Sequence, residues 1–554
     1  MAMETTLPQT PGWAKFLRIP RPLHEPVAVA LLLLALALQI LLGSLESGMA
    51  YDEKAHISAG VTYVATGLRR LTLDHTPLGH LLTGVTLKPL APEFDRNRYD
   101  ALAYHSHDTS GMMESFWRAN QPRYRQILLV GRIPFMALGV LAALYVFLLS
   151  RSMWGRWPGL LSLAFCAFCP GQVTWSRFVY MDVPLAAFGI ASVAHLWWYL
   201  RGRDARQLAM LTVATACTLG TKYSGVFVLP FVFALVLVPG EWLGLNGLAW
   251  KRRAAHLATL TAGVVALLWA MYGFALDPRF YTRGIAGLYA SVQPTFRFYL
   301  AGQFDAKGFW DYFLVTFLIK STLPTLLGTA AVLGWFSLSV ARWVRGSAEQ
   351  RGRARASAVM LGVTLGPALL FFLLTTWKSL PLGFRYLVPV YPLLYVAFGG
   401  LGKLALERVS LTPRLLLAGL ALLHAASSLR THPDQMAYFH ELIGGPEQGI
   451  LWLNDASIDA GQNLPRLAAY LRGRGNPVVK MTNFGEDVPE YYGIRRLPIP
   501  MAEWDGTPLP GLYVLSTQTL VYGQLEARER AHKDWLKTYR PIATIGGSYF
   551  IYEF

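Results

Sequence analysis

Residues Pro26 to Leu45 are almost pure Leu, Ala, Val and Ile, and shortly after this run stand Tyr51, Asp52 and Glu53. About 20 apolar residues match the roughly 30 Å hydrocarbon core of a bilayer, so the run reads as a membrane-crossing helix. The two acids then lie at the level of the lipid head groups. Carboxylates are costly there unless they have a task, so they open a functional hypothesis.

The rest of the chain fits that start. Its 554 residues are 53% hydrophobic and only 15% charged, the balance of a polytopic membrane protein. Eleven apolar spans are expected, at about 26–47, 126–149, 158–173, 183–200, 207–220, 224–239, 254–275, 311–335, 357–376, 385–402 and 414–429. Lys15, Arg18 and Arg21 before the first run imitate a signal peptide. The run is too long for one and lacks a small-x-small cleavage flank, so a retained signal-anchor helix is expected.

The net charge of +17 does not point to nucleic acid, because the cations fall in short loops between spans. With the N-terminus inside, the inner segments hold Lys15 to Arg21, Arg151 and Arg156, Arg201 to Arg206, Lys251 to Arg253, Arg342 to Arg355, and Lys403 to Arg414. The short outer turns hold few cations, among them Arg177, Lys222, Lys378 and Arg385. This asymmetry places Asp52 outside. Cys166, Cys169 and Cys217 all lie in apolar spans and read as packing residues, with no disulfide framework.

Two outer loops are long, 48–125 and 276–310. In the first, Ala55–Thr66 and Gly79–Leu90 read as amphipathic helices on the membrane surface. After about residue 430 strands and helices alternate, which predicts a small α/β domain. Strands are expected at Gly449–Leu453, Pro477–Met481, Leu512–Ser516 and Tyr549–Tyr552, with a helix at Leu464–Arg472. The chain thus divides into a transmembrane domain, 1–430, and an extracytoplasmic α/β domain, 431–554.

Charged groups from distant segments reach the outer face at similar depths. Asp52, Glu53 and His56 follow the first span, Asp182 precedes Val183-Pro184, and Lys222 ends the fifth span. Lys320 would lie about 13 Å below the outer end of the eighth span at 1.5 Å per residue. Lys378 and Arg385 bracket the turn between the ninth and tenth. Such a set suits one reaction. A carboxylate takes the proton of an incoming nucleophile, and cations stabilise a departing lipid-linked phosphate.

Each residue has a plainer reading. Asp52 and Glu53 suit a helix N-terminus, Asp182 an N-cap before proline, and Lys222 and Lys378 contact with head groups. His56, with Asp52, Glu53 and His75 or His80, offers ligands for a divalent metal without a specific zinc spacing. Metal and cofactor therefore stay open.

The motifs resemble the membrane-embedded glycosyltransferases of the GT-C fold. They are most similar to the family 39 group that includes protein O-mannosyltransferases and the lipid A aminoarabinose transferase. The resemblance rests on Tyr51-Asp52-Glu53 with His56, on His75-Thr-Pro-Leu78, on Tyr180-Met-Asp182-Val-Pro184 and on Thr221-Lys222-Tyr223. It also rests on Phe309-Trp-Asp-Tyr312, Lys320-Ser-Thr-Leu-Pro324 and Gly383-Phe-Arg385-Tyr386-Leu-Val-Pro389.

The resemblance implies an inverting transferase that moves a sugar from a polyprenyl-phosphate carrier to a protein, lipid or glycan acceptor on the periplasmic side of the inner membrane. It implies Asp52 as base, with Asp182 and Glu53 as further acids of the catalytic set. Lys222, Lys320, Arg385 and Tyr386 would meet the carrier phosphate, and His56, His75 and Lys378 the substrates. Leu453 to Leu464 is similar to an Asp-Ser-Asn-x-Asp-Trp-Gly-Gln-Asp-Leu pattern of some bacterial members, with Ala460 for Trp and Asn463 for Asp. The outer domain then reads as an acceptor-binding or structural module. The alternative is a transporter or flippase of a lipid-linked or anionic substrate. That would call for repeat symmetry and helices broken at mid-membrane, and the sequence shows neither. A silent scaffold is the third reading, and acids at both outer turns argue against it.

Overall fold

The computed structural model describes residues 24–72, 74–102, 109–239, 248–277, 279–291, 297–378, 380–530 and 533–554. The protein is mainly helical, with a small sheet near its C-terminus. Lys15, Arg18 and Arg21 lie outside the described residues.

Among the described residues, seven helices are long and apolar enough to cross a membrane. They are His24–Glu46, Gln121–Trp154, Asp182–Gly202, Trp250–Met271, Leu323–Arg345, Glu349–Trp377 and Thr412–Arg430. The other four expected spans are helical as well but fall short of that length or apolarity. One of them, 158–173, divides into Arg156–Ala167 and Pro170–Trp175, with Pro170 opening the second piece.

The expected eighth span, 311–335, is two helices. Tyr312–Lys320 ends at Lys320, and Leu323–Arg345 starts anew. The Thr322 hydroxyl accepts from the Thr325 amide at 3.3 Å, and Pro324 sits in the first turn. A capping hydroxyl followed by proline is a helix start. Lys320 therefore stands at a chain break and not inside a continuous span.

Small residues let the helices approach closely, as is usual in membrane bundles. A Cβ on Gly399 would sit 2.2 Å from Ser150 Oγ, and one on Gly400 would meet the Trp335 ring at 2.4 Å. The long segment 48–125 includes the helices Glu53–Thr66 and Leu78–Leu87. They cross at Gly60 and Gly84, where a Cβ on Gly84 would lie 2.1 Å from the Gly60 carbonyl. This crossing fixes the start of Glu53–Thr66, and with it Asp52.

The C-terminal sheet has five strands, in the order Arg496–Leu497, Val479–Met481, Leu512–Ser516, Tyr549–Glu553, Ala543–Ile545. The first three are parallel and the last two pair antiparallel. Helix Leu464–Gly473 covers the sheet with Leu464, Leu467, Ala468 and Leu471, one face at helical spacing, against Val479, Met481, Val514 and Ile551. The strand expected at Gly449–Leu453 does not form. Pro446 instead opens a short 3₁₀ helix, Pro446–Leu451. The carbonyls of Ile450 and Leu451 take the Tyr299 hydroxyl, and that of Trp452 takes the Ala301 amide.

The sheet domain is tied to the first helix by buried hydrogen bonds. The Asp487 carboxylate accepts from the Met49 amide at 2.8 Å and from the Tyr124 hydroxyl at 2.5 Å. Gly48 N donates to Gln462 O at 2.7 Å, and Tyr51 N donates to Ala460 O at 2.8 Å. The loop that carries Asp52 is thus held from both sides.

Candidate active site

Asp52 occupies the position before helix Glu53–Thr66, but its side chain caps nothing. It forms an ion pair with Arg385, whose Nη1 lies 2.5 Å from Oδ2. The Asp52 amide donates to the Tyr180 hydroxyl at 3.1 Å. Arg385 lies over the rings of Tyr180, at 4.8 Å, and Tyr386, at 5.4 Å. Gly383 has φ +108°, which a side chain rarely adopts, and a Cβ there would lie 2.8 Å from the Ala456 backbone. Glycine therefore lets the turn carrying Arg385 press against the C-terminal domain.

A second ion pair joins Asp182, at the start of helix Asp182–Gly202, to Lys222, just beyond helix Ala205–Thr221. The distance is 2.7 Å, and both side chains are nearly buried. The Lys222 ammonium also lies 4.2 Å from the centre of the Tyr386 ring. Tyr386 thus links the two pairs, Arg385–Asp52 and Lys222–Asp182. An apolar crevice adjoins them, lined by Leu185, Val193, Phe227, Phe371, Pro389 and Leu393.

Asp52 and Arg385 open into a cavity of about 460 Å³ between the helices and the C-terminal domain. Its lining also includes Tyr51, Tyr180, Leu382, Asp455, Phe484, Gln518 and Tyr522. Burial pushes the Asp52 carboxyl up, but the Arg385 guanidinium holds it below the ordinary carboxylate range. Burial pushes Asp455 up to about 6, and the Asp52 charge adds to that rise. One cavity therefore holds two acids whose surroundings drive them apart, a pattern that separates a proton acceptor from a proton holder.

Other expected site residues lie elsewhere. Glu53 is fully buried and bonded on every side. Arg132 Nε and the Val179 amide donate to its Oε1 at 2.8 and 2.9 Å, and Arg132 Nη2 and the Ala50 amide donate to its Oε2 at 2.6 and 2.8 Å. It braces the loop and does not face the cavity. Lys320 donates to the carbonyls of Met436 and Ser457, each at 2.6 Å, and clamps the C-terminal domain to the broken helix. Lys378 ends helix Ala348–Lys378, and its side chain lies outside the described residues.

His56 Nδ1 lies 3.1 Å from His80 Nε2, and the His75 ring stands edge-on to His56 at 4.8 Å. Burial and the neighbouring His75 drive His56 down to about 4, so it is neutral at physiological pH. The divalent-metal reading draws on these same residues. Only His56 Nδ1 and His80 Nε2 face each other, His75 Nδ1 lies 3.4 Å from Asp74 Oδ2, and the described residues hold no group of three or more His, Cys, Asp or Glu arranged for a metal ion.

Arg132, Tyr180 and Asp455 acquire their partners only in the fold, and the sequence alone assigns them no role. Arg132 carried a signal, an arginine inside an apolar run. Asp455 lay in a segment already noted but without a partner to give it meaning.

Residues 119–282 match the family described as dolichyl-phosphate-mannose-protein mannosyltransferase. That stretch carries Arg132, Tyr180, Asp182 and Lys222. No curated protein sequence matches the chain. Among solved structures, apo ArnT from Cupriavidus metallidurans aligns over 94% of this chain and 97% of its own, with 14% identity and a TM-score of 0.46. The apo Archaeoglobus fulgidus oligosaccharyltransferase aligns over 94% and 73%, with 12% identity and a TM-score of 0.45. The S. cerevisiae Pmt1–Pmt2 complex bound to the sugar donor aligns over 50% and 36%, with 20% identity and a TM-score of 0.31. Across residues 119–282, then, the chain resembles the dolichyl-phosphate-mannose-protein mannosyltransferases, in line with the motifs around Asp182 and Lys222.

Proposed function

We propose that this chain is an integral-membrane glycosyltransferase that moves a sugar from a polyprenyl-phosphate carrier to an acceptor hydroxyl. The carrying observation is the Asp52–Arg385 pair at a cavity, joined through Tyr386 to Lys222 and Asp182. The family match over residues 119–282 supports the same reading. The apolar crevice suits an isoprenoid tail, with its phosphate drawn toward Lys222 and Arg385.

In the proposed reaction the Asp52 carboxylate takes the proton of the acceptor hydroxyl. The acceptor oxygen forms a bond to the anomeric carbon as the bond from that carbon to the phosphate oxygen breaks. The electron pair leaves with the phosphate, and Arg385 and Lys222 stabilise the charge that develops there. Phosphate leaves without a proton, so no second acid is needed, in contrast to glycoside hydrolysis. A single displacement inverts the anomeric centre. Arg385 is shared between Asp52 and the phosphate, so donor binding draws it from Asp52 and makes that carboxylate a stronger base. Asp182 holds Lys222 in place and helps position the acceptor, with His56 and His75 packed beside Asp52. Residues 1–430 would be the catalytic membrane domain and 431–554 the extracytoplasmic one. The site would face the periplasm from the inner membrane, with the N-terminus cytoplasmic.

The test is direct. Purified protein given polyprenyl-phosphate sugars and an acceptor pool releases polyprenyl phosphate. Asp52→Asn cuts the rate by about 100-fold, the scale of a general base, with folding kept. An unchanged rate removes Asp52 from the mechanism.

A further inference from the structure

Much of the cavity wall comes from the C-terminal domain and has no part in the chemistry above. It consists of Asp455, Ala456, Ala460, Phe484, Gln518 and Tyr522. Two features make it a built surface. The rings of Tyr51 and Phe484 stack with centroids 5.6 Å apart and planes 17° apart, which presents a broad apolar face from both domains. Beside it are polar groups with unused bonding capacity. Gln518 Oε1 is buried without a hydrogen-bond partner among the described residues. Asp455 Oδ1 accepts from the Ala456 amide at 2.8 Å, and Oδ2 has no bond among the described residues.

Asp455 is also held at φ +57°, in the left-handed region. Aspartate enters this region when its short side chain bonds the nearby backbone, here the Ala456 amide. An unmade hydrogen bond in a buried wall costs about 1–3 kcal/mol. The buried Gln518 Oε1 beside the cavity implies a ligand that satisfies it.

We propose that this wall binds a saccharide acceptor. The Tyr51–Phe484 pair covers the C–H face of a sugar ring, and Asp455 and Gln518 hydrogen-bond its hydroxyls. This rests on the glycosyltransferase reading and adds the acceptor class. A sugar ring combines an apolar face with a rim of hydroxyls, and this wall offers both complements. Burial holds the Asp455 carboxyl up to about 6, so near neutral pH it is mainly an acceptor for sugar hydroxyls. An extended peptide would instead call for strand edges or main-chain partners, and no residue of the five sheet strands lines the cavity. The C-terminal part of the wall carries no cation, so a phosphate-bearing acceptor group has no counter-charge there. The volume, about 460 Å³, falls in the roughly 300–1,000 Å³ range of small-ligand sites.

The full chain in lipid nanodiscs tests this, with sugar-labelled polyprenyl-phosphate donors from native membranes. Two acceptor pools are offered: neutral oligosaccharides from the cell envelope, and Ser/Thr peptides. Label is expected in oligosaccharides and not in peptides. Phe484→Leu and Gln518→Leu should each raise the oligosaccharide KM about 10-fold, the size of one lost polar or packing contact. Their kcat and donor KM should stay within about twofold. An unchanged unfolding midpoint in each variant shows that the fold is kept. Labelled peptides, or labelled oligosaccharides whose KM ignores both variants, would overturn the saccharide site while leaving the enzyme reading intact. A wild-type protein that consumes no donor would overturn the enzyme reading, and this site with it.

Discussion

Glu53 and Asp52 are adjacent acids with opposite fates, and Glu53→Gln separates them. In the native protein each Glu53 oxygen accepts two hydrogen bonds, Oε1 from Arg132 and the Val179 amide, Oε2 from Arg132 and the Ala50 amide. Glutamine keeps one such oxygen. Whichever way it turns, its NH₂ faces two donors, so two of the four bonds are lost and two donor–donor contacts appear. Arg132 is left with its charge uncompensated, and both side chains are fully buried. Removing one partner of a buried pair costs about 3–5 kcal/mol. The expected outcome is a clear fall in the unfolding midpoint in detergent, followed by intrinsic fluorescence. The molecules that remain folded should release polyprenyl phosphate at a near-native kcat. If Glu53→Gln keeps its midpoint and loses activity by 100-fold, Glu53 touches the reacting atoms and the brace assigned to it is wrong.

Arg385→Ala should weaken donor binding by at least about 10-fold and leave the acceptor KM within about twofold; a purely acceptor-side defect would contradict its assignment to the phosphate. Asp455→Asn should make stability less dependent on pH. Asp455 keeps its proton up to about pH 6 when folded, against an ordinary value of 3.8. The folded state therefore binds more protons between these values, and wild-type stability falls as pH rises through that window and stays lower above it. Asparagine lacks that loss, so the variant should gain up to about 3 kcal/mol at pH 7.5 and progressively less toward pH 4. Unfolding midpoints across that range check it, and a gap that does not vary with pH would refute it.

The sequence pointed to the ends of the apolar runs, and that is where Asp52, Asp182, Lys222 and Arg385 meet in two pairs. Those positions were legible because a charge at a membrane boundary is conspicuous by itself. What a charge does depends on its partner, and partners lay far away in the chain. Glu53 reads like Asp52 until Arg132 is seen to hold it. Lys320 reads as a phosphate ligand until the carbonyls of Met436 and Ser457 are seen to accept its hydrogen bonds. The break after Lys320 was carried by Thr322 and Pro324, start signals hidden inside an apolar run. Gly449 to Leu453 has a strand's composition, but Pro446 and the hairpin at Phe298–Asp305 claim its backbone. The helix Leu464–Gly473 and the strands Val479–Met481, Leu512–Ser516 and Tyr549–Glu553 were readable because each is amphipathic or apolar on a local scale.

The most direct measurement is a cryo-electron microscopy structure of Asp52→Asn in nanodiscs with a polyprenyl-phosphate sugar bound. The account predicts the phosphate against Arg385 and Lys222, the isoprenoid in the crevice beside Leu185 and Phe371, and the anomeric carbon facing residue 52 across the cavity. A phosphate bound elsewhere, with residue 52 remote from the sugar, would contradict it.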